Sequence, residues 1–130
     1  VLAERQRTTD AGRVDGGDGA KFGARLAARH AKGQLSAREN VAALLDDGAP
    51  FFEYGRFAVA AQSGRMSLDD LRTRTPADGL ITGVGSVNAS SFGAEAAKAA
   101  VAAYDATVLA GTQGFFNHKK LDRLLEVSEE

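Results

Sequence analysis

The chain has 130 residues, of which 44% are hydrophobic and 25% are charged, and its net charge at pH 7 is -1. This composition is typical of a globular domain, and a nearly neutral chain without a basic, aromatic stripe argues against nucleic-acid binding. No apolar run approaches the roughly 20 residues that cross a membrane. Without cysteine or a secretory leader pattern, a cytoplasmic location is the natural expectation.

The first 20 residues are predicted to be a flexible N-terminal segment. Val1–Asp10 could form a short helix, and Gly12–Ala20 is rich in glycine and aspartate, as linkers are. The chain starts without Met and ends at Glu130 inside a helical pattern. We therefore expect a piece of a longer polypeptide.

Two helices joined by a tight turn are predicted next. Lys21–Gly33 has a narrow apolar edge among basic residues, and Gly33 stands where a helix stop is expected. Ser36 and Glu39 form an S-x-x-E capping box at the start of the second helix. Gly48 is predicted to end this helix.

The middle of the chain changes from helical to extended patterns. Phe51–Gln62 is predicted to be an irregular strand pair or an extended segment. A short helix should begin at Ser67 and give way to a turn at Pro76. Leu80–Asn88 is predicted to be a strand, with close backbone packing at its two glycines.

The last third is predicted to contain a strand, a glycine-rich turn and a helix. Ala89–Ala100 could be either helical or the connection of a long hairpin. Ala100–Leu109 is predicted to be a buried strand with one charge, Asp105. Asn117 is the predicted N-cap of the final helix. The order of elements indicates an α/β fold.

The turn "AGTQG", Ala110–Gly114, is the strongest candidate for a binding site. The first N–H groups of a helix lack internal partners, and the helix dipole places a partial positive charge there. Lys119 and Lys120 follow in the first turn, so a phosphate would be well bound. An ordinary surface turn is the alternative, and neither the Walker pattern nor G-x-G-x-x-G is present.

Other residues give weaker signals. His30 and His118 are the only histidines and lack an acidic ligand pattern, so no metal site is predicted. Asp105 could be a general base, but capping a neighbouring backbone group or pairing with an arginine is the favoured role. The basic stretch Ala24–Arg38 is either a solvated face or a surface for acidic phosphates.

Three blocks resemble the carboxyltransferase domain, of the beta-subunit type, of biotin-dependent acyl-CoA carboxylases. These are "RHAKGQLSARENVAALLDDGAPFFEYG" (Arg29–Gly55), "PADGLITGVGSVN" (Pro76–Asn88) and "YDATVLAGTQGFFNHKKLDRLLE" (Tyr104–Glu126). They occur in the family's order. The third block is most similar to long carboxylases that carry this domain, biotin carboxylase and the biotin carrier on one chain.

The resemblance implies a crotonase-like (ClpP/crotonase) fold, a spiral of ββα units. Residues 21–130 would be its N-terminal part only, preceded by helices. The implied activity is carboxyl transfer from carboxybiotin, held on a carrier domain, to the α-carbon of an acyl-CoA. The implied partners are biotin carboxylase and biotin-carrier domains or subunits, within a homo-oligomer. The oxyanion-hole residues would lie beyond Glu130, so no catalytic residue is assigned and the piece alone should be inactive.

The resemblance also implies where the acyl-CoA binds. The turn before the last helix matches a family loop that faces CoA, and basic residues from two regions become candidates for its phosphates. The candidate substrate-binding residues are Gly111, Thr112, Gln113, Gly114, Lys119, Lys120, Arg29, Lys32 and Arg38. Two alternatives remain open: a non-catalytic α/β interaction module and a generic phosphate-ester binding domain.

Overall fold

A computed structural model describes residues 17–129, and its first helix, α1, covers Gly17–His30. The helix begins four residues before Lys21, inside the stretch predicted to be a linker. The predictions for residues 1–16 lie outside the described residues. After α1 the backbone reverses at Gly33, which has a φ of 71°. The predicted glycine stop is therefore confirmed.

The second helix, α2 (Ala37–Leu44), starts with the predicted capping box. Ser36 Oγ accepts a hydrogen bond from Glu39 N at 3.2 Å, and Glu39 Oε2 accepts one from Ser36 N at 2.7 Å. His30 Nε2 lies 2.9 Å from the same carboxylate. These hydrogen bonds lower the pKa of Glu39 to about 2, and the one with His30 has a larger effect than those with Ser36.

The helix α2 ends at Leu44, four residues before the predicted end at Gly48. Extended backbone follows at Leu45, and the next residue, Asp46, binds residues 86–89. The Asp46 carboxylate accepts hydrogen bonds from Ser86 Oγ at 2.6 Å and Asn88 N at 2.6 Å. The Ser86 hydrogen bond is the main reason that the pKa of Asp46 is lowered.

The described residues contain one antiparallel sheet with the strand order β1-β2-β3. Its strands are β1 (Phe52–Tyr54), β2 (Leu80–Ser86) and β3 (Lys98–Tyr104). Gly83 of the central strand lies opposite Glu53 on one side and Val101 on the other. The predicted strand at Leu80–Asn88 is thus confirmed.

Three further α-helices and two 3-10 helices, Pro76–Gly79 and Leu109–Gly111, complete the described fold. The α-helices are α3 (Leu68–Arg74), α4 (Ala89–Phe92) and α5 (Phe115–Ser128). Ser67 caps α3 by accepting a hydrogen bond from Asp70 N, so the predicted start of this helix is confirmed. The short α4 lies in the β2–β3 hairpin connection, and β2, β3 and α5 together form a ββα unit.

The strand β3 differs from the predicted buried strand at Ala100–Leu109. It ends at Tyr104 and most of its residues are exposed or half-buried, although Val101 is buried. The chain then turns because Asp105 Oδ1 accepts hydrogen bonds from Thr107 N at 2.9 Å and Thr107 Oγ1 at 2.5 Å. This turn confirms the capping role favoured for Asp105.

The core between α2 and the sheet requires glycine in the central strand. Val41 packs with Ile81 and Val101, and Phe51 lies against this cluster. A Cβ at Gly83 would lie 2.5 Å from Phe51 Cζ and 2.6 Å from Phe52 O. The close backbone packing predicted for the glycines of β2 is therefore confirmed.

Candidate functional site

A cleft of about 790 Å³ opens between α1, the end of α3 and the segment after β3. This volume lies in the range of small-molecule binding sites. Its apolar lining after β3 consists of Ala106, Leu109 and Ala110. Its uncharged polar lining consists of Gln34, Gln62, Thr75 and Thr107. The cleft therefore lies directly before the glycine-rich turn that the sequence singles out.

Four cations surround this cleft: Arg25, Arg29, Lys32 and Arg74. Arg25 and Arg29 are four residues apart on α1 and therefore share one face of the helix. Among the described lining residues none carries a carboxylate. We call these four residues the basic cluster. This concentration of positive charge suits an anionic ligand.

Arg29 of the basic cluster is held by a contact with the backbone. Its Nη2 donates a hydrogen bond to Leu35 O at 3.1 Å, which closes the turn after α1. Its Nε is buried and has no hydrogen-bond partner among the described residues. A buried donor without an acceptor is costly, so this guanidinium is well suited to an added acceptor.

The segment that begins at the cleft wall is held in an unusual conformation. Leu109, Ala110 and Gly111 have φ values of 45°, 55° and 77°. Thr112 Oγ1 donates a hydrogen bond to Leu109 O at 2.8 Å, and Gln113 Nε2 donates one to Tyr104 Oη at 3.1 Å. We call residues 109–114 the glycine loop. It leads from the cleft to the first turn of α5.

The amide groups at the start of α5 already have an anionic partner. Asp78 Oδ2 accepts a hydrogen bond from Asn117 N at 2.8 Å, and Asp78 O accepts one from Asn117 Nδ2 at 3.2 Å. Burial raises the pKa of Asp78, while the Asn117 N–H and the charge of Lys120 oppose that shift. The predicted cradle of unpaired amides is therefore corrected: the protein's own carboxylate fills it.

The N-cap of α5 also differs from the prediction. Gly114, not Asn117, occupies that position, and the helix begins at Phe115. Asn117 is fully buried in the first turn, where its side chain binds the turn before β2. The glycine is required because a Cβ at Gly114 would lie 2.9 Å from Asp78 Oδ2.

The two predicted phosphate-binding lysines have different environments. Lys119 is exposed, and its Nζ lies 5.8 Å from the ring centroid of Phe115. Lys120 is 6% exposed, and its Nζ donates hydrogen bonds to Ala77 O at 2.8 Å and to Leu80 O. Burial lowers the pKa of Lys120 from 10.5 to about 8. Lys120 is thus not the mobile surface cation that the sequence indicated.

Arg38 also lies apart from the cleft. Its guanidinium donates hydrogen bonds to Glu53 from both terminal nitrogens, with an Nη1–Oε2 distance of 3.0 Å and an Nη2–Oε1 distance of 2.9 Å. Arg56 Nη1 lies 3.4 Å from the same carboxylate, whose side chain is 5% exposed. This ion pair fixes α2 to β1, and of the predicted cations only Arg29 and Lys32 line the cleft.

Three residues that shape this region were not among the predicted site residues, although Arg25 lies within the basic stretch Ala24–Arg38. Arg25 could have been found from its four-residue spacing to Arg29. Arg74 and Asp78 reach the site only through tertiary packing, since they belong to α3 and to the turn before β2. No local pattern marks either of them as a neighbour of α1 or α5.

A family model described as "Carboxyl transferase domain" matches residues 28–130. The chain belongs to this family. Among its relatives is the propionyl-CoA carboxylase carboxyltransferase subunit of Haloferax mediterranei. The two are 31% identical over 106 residues, which is 82% of this chain and 18% of the relative.

Solved structures of this carboxyl transferase family have the same fold. One belongs to a single-chain, multi-domain long-chain acyl-CoA carboxylase, with 45% identity and a TM-score of 0.82. This chain aligns over 98% of its length with 12% of that protein. The resemblance predicted from the three sequence blocks is therefore confirmed.

A second structure is the hexameric transcarboxylase 12S with hydrolysed methylmalonyl-CoA bound. It is 28% identical with a TM-score of 0.67, and the match covers 96% of this chain and 21% of that one. The chain thus spans about a fifth or less of the relatives it matches. Its ββα unit and preceding helices are part of a crotonase-like domain.

Within residues 17–129, no helix is both long enough and apolar enough to cross a membrane.

Proposed function

We propose that this chain is part of a carboxyltransferase that moves a carboxyl group from carboxybiotin to the α-carbon of an acyl-CoA. Family membership and the acyl-CoA carboxylases among its relatives support this activity. Carboxybiotin, delivered by a carrier domain, supplies the carboxyl group. A biotin carboxylase and further copies of the chain are the proposed partners, and the hexameric transcarboxylase supports an oligomer.

The basic cluster is the single observation that carries the proposed substrate. The adenosine end of CoA carries a phosphate on its ribose and a pyrophosphate, and arginine binds the anionic oxygens of such groups well. Arg29 offers a buried Nε without a partner among the described residues. The small alanine side chains of the lining leave room for the flat adenine ring of CoA. The residues therefore fit the phosphate-bearing end of CoA.

The proposed binding residues are a revised version of the sequence-based set. Arg29 and Lys32 bind phosphate together with Arg25 and Arg74. Gly111, Thr112, Gln113 and Gly114 of the glycine loop border the ligand, and Lys119 adds an exposed cation. Lys120 and Arg38 have structural roles, because each already binds protein oxygens.

Calorimetric titration of the full-length protein with three ligands tests this proposal. CoA should bind, dephospho-CoA should bind at least fivefold more weakly, and inorganic phosphate should bind poorly. The loss of one phosphate contact accounts for the difference between the first two ligands. A protein interaction module would bind none of the three. A generic phosphate-binding domain would bind CoA, dephospho-CoA and inorganic phosphate alike, and either result would overturn the proposal.

A further inference from the structure

The turn before β2 has a conformation that its side chains alone do not favour. Ala77, Asp78 and Gly79 have φ values of 55°, 48° and 70°. Residues other than glycine rarely adopt such values, and runs of them persist only where surrounding contacts fix them. Asp78 is 2% exposed. We call residues 77–80 the strained turn.

Lys120 holds the strained turn on both sides of Asp78. Its ammonium binds the carbonyl oxygens of Ala77 and Leu80. A Cβ at Gly55 would lie 2.8 Å from Lys120 Cδ, so the lysine stem runs across bare backbone. Glu53 of β1 and Asp78 act on this ammonium as negative charges, and Arg38 of α2 acts as a positive one.

The strained turn contacts both ends of the segment that contains the glycine loop. At the first end, Gly79 O accepts a hydrogen bond from Asp105 N at 2.8 Å. A Cβ at Gly79 would lie 3.1 Å from Val108 Cγ1. At the second end, the Asp78 carboxylate lies against Gly114 and binds Asn117 N. The turn thus fixes the loop before and after the part that borders the cleft.

We propose that Asp78 is a positioning residue that holds the glycine loop at the edge of the substrate cleft. This inference rests on the proposed function, since it assigns Asp78 a role in acyl-CoA binding without contact to the substrate. Asp78 aligns the first turn of α5, Gly114 admits its carboxylate, and Lys120 secures the backbone on either side. Leu109 and Ala110 then present a preformed wall to the ligand.

The test compares Asp78→Asn with Asp122→Asn in the full-length protein. Both substitutions remove one carboxylate, but Asp122 is exposed on α5. Hydrogen–deuterium exchange should become at least tenfold faster in residues 109–116 of Asp78→Asn and stay unchanged in Asp122→Asn. This readout does not require any ligand. Unchanged exchange in Asp78→Asn would overturn the inference.

The second readout separates positioning from a general structural role. The substrate is whichever of acetyl-, propionyl- and palmitoyl-CoA the wild type carboxylates fastest. Asp78→Asn should raise KM for it about tenfold and change kcat less than twofold, at a temperature where both variants are fully folded. Faster exchange with an unchanged KM would leave Asp78 a merely structural residue and overturn the proposal.

A further variant tests the inference if Asp78→Asn fails to fold. Gly114→Ala disturbs the same contact from the opposite side, at a residue with a φ of -104° that any side chain tolerates. It should show the same faster exchange and higher KM, and wild-type values would overturn the inference. If the wild-type protein binds no CoA, the proposed function is wrong. If it binds CoA normally but loop exchange is unchanged in the variants, only the role of Asp78 is rejected.

Discussion

The carboxylate of Asp78 lies 2.8 Å from the backbone nitrogen of Asn117, in the place where the sequence predicts a bound phosphate. The helix dipole and amide groups of α5 therefore stabilise a residue of the protein. An external phosphate has a different set of partners available, the basic cluster beside α1 and α3. We therefore expect the phosphate to bind in the cleft next to the start of α5, and not at the helix terminus itself.

Lys120→Met should destabilise the region around the strained turn. The change keeps most of the buried stem but leaves the carbonyls of Ala77 and Leu80 without their donor. Because a buried, unsatisfied group costs about 1–3 kcal/mol, the free energy of local opening should fall by about 2 kcal/mol. Native-state hydrogen exchange in α5 measures this change. Lys98→Met, on the exposed hairpin, is the control and should have no effect there.

The stability of the same region should rise with pH because of Lys120. Its pKa is about 8 in the folded protein and 10.5 ordinarily, so the unfolded chain holds more protons between these values. Between pH 7 and 9, the free energy of opening of α5 should increase by about 1 kcal/mol in the wild type relative to Lys120→Met. Hydrogen exchange at both pH values, corrected for intrinsic rates, gives the difference. If the free energy of opening in the wild type, relative to Lys120→Met, falls as pH rises, the lowered pKa of Lys120 is wrong.

Gly83→Ala should disrupt the central strand. The new methyl group would lie 2.6 Å from Phe52 O, and a backbone atom cannot move aside easily. Overpacking of this kind typically costs about 1–3 kcal/mol, so exchange protection in β2 should fall accordingly. Gly64→Ala provides the matched control, since nothing described lies within 4 Å of its added methyl group. Equal protection in the two variants would show that β2 is not packed as described.

Ser36→Ala should weaken the start of α2. The hydroxyl is the acceptor for Glu39 N, and loss of such an N-cap costs about 1 kcal/mol. We expect faster exchange in the first turn of α2 and little change in α5. Ser63→Ala, at an exposed turn position, serves as the reference. Protection of α2 that survives the loss of Ser36 would argue against the capping box.

Local patterns predicted much of the fold because local interactions determine those parts. The capping box at Ser36, the cap at Ser67 and the glycines of β2 each depend on neighbours in sequence or on backbone size. The end of α2 was predicted wrongly, because Asp46 is drawn to Ser86 and Asn88, 40 residues and more away. Glycine at position 48 carries no information about that contact.

The candidate site was predicted less well for the same reason. A basic face on α1 and a turn before α5 are visible in the sequence, and Arg29 and Lys32 do reach a common cleft with that turn. The neighbours of Lys119 and Lys120 are not visible there, since adjacent lysines on a helix point in different directions. Packing against the strained turn buries one lysine and leaves the other exposed.

The affinity of the full-length protein for CoA after substitution of Arg29 and Lys32 by alanine tests the central claim most directly. A double substitution of Lys98 and Arg123, which are exposed and lie outside the cleft, removes the same charge as a control. Calorimetry should show at least tenfold weaker CoA binding for the cleft variant, no preference for CoA over dephospho-CoA, and wild-type affinity for the control. Wild-type affinity in the cleft variant would contradict the account.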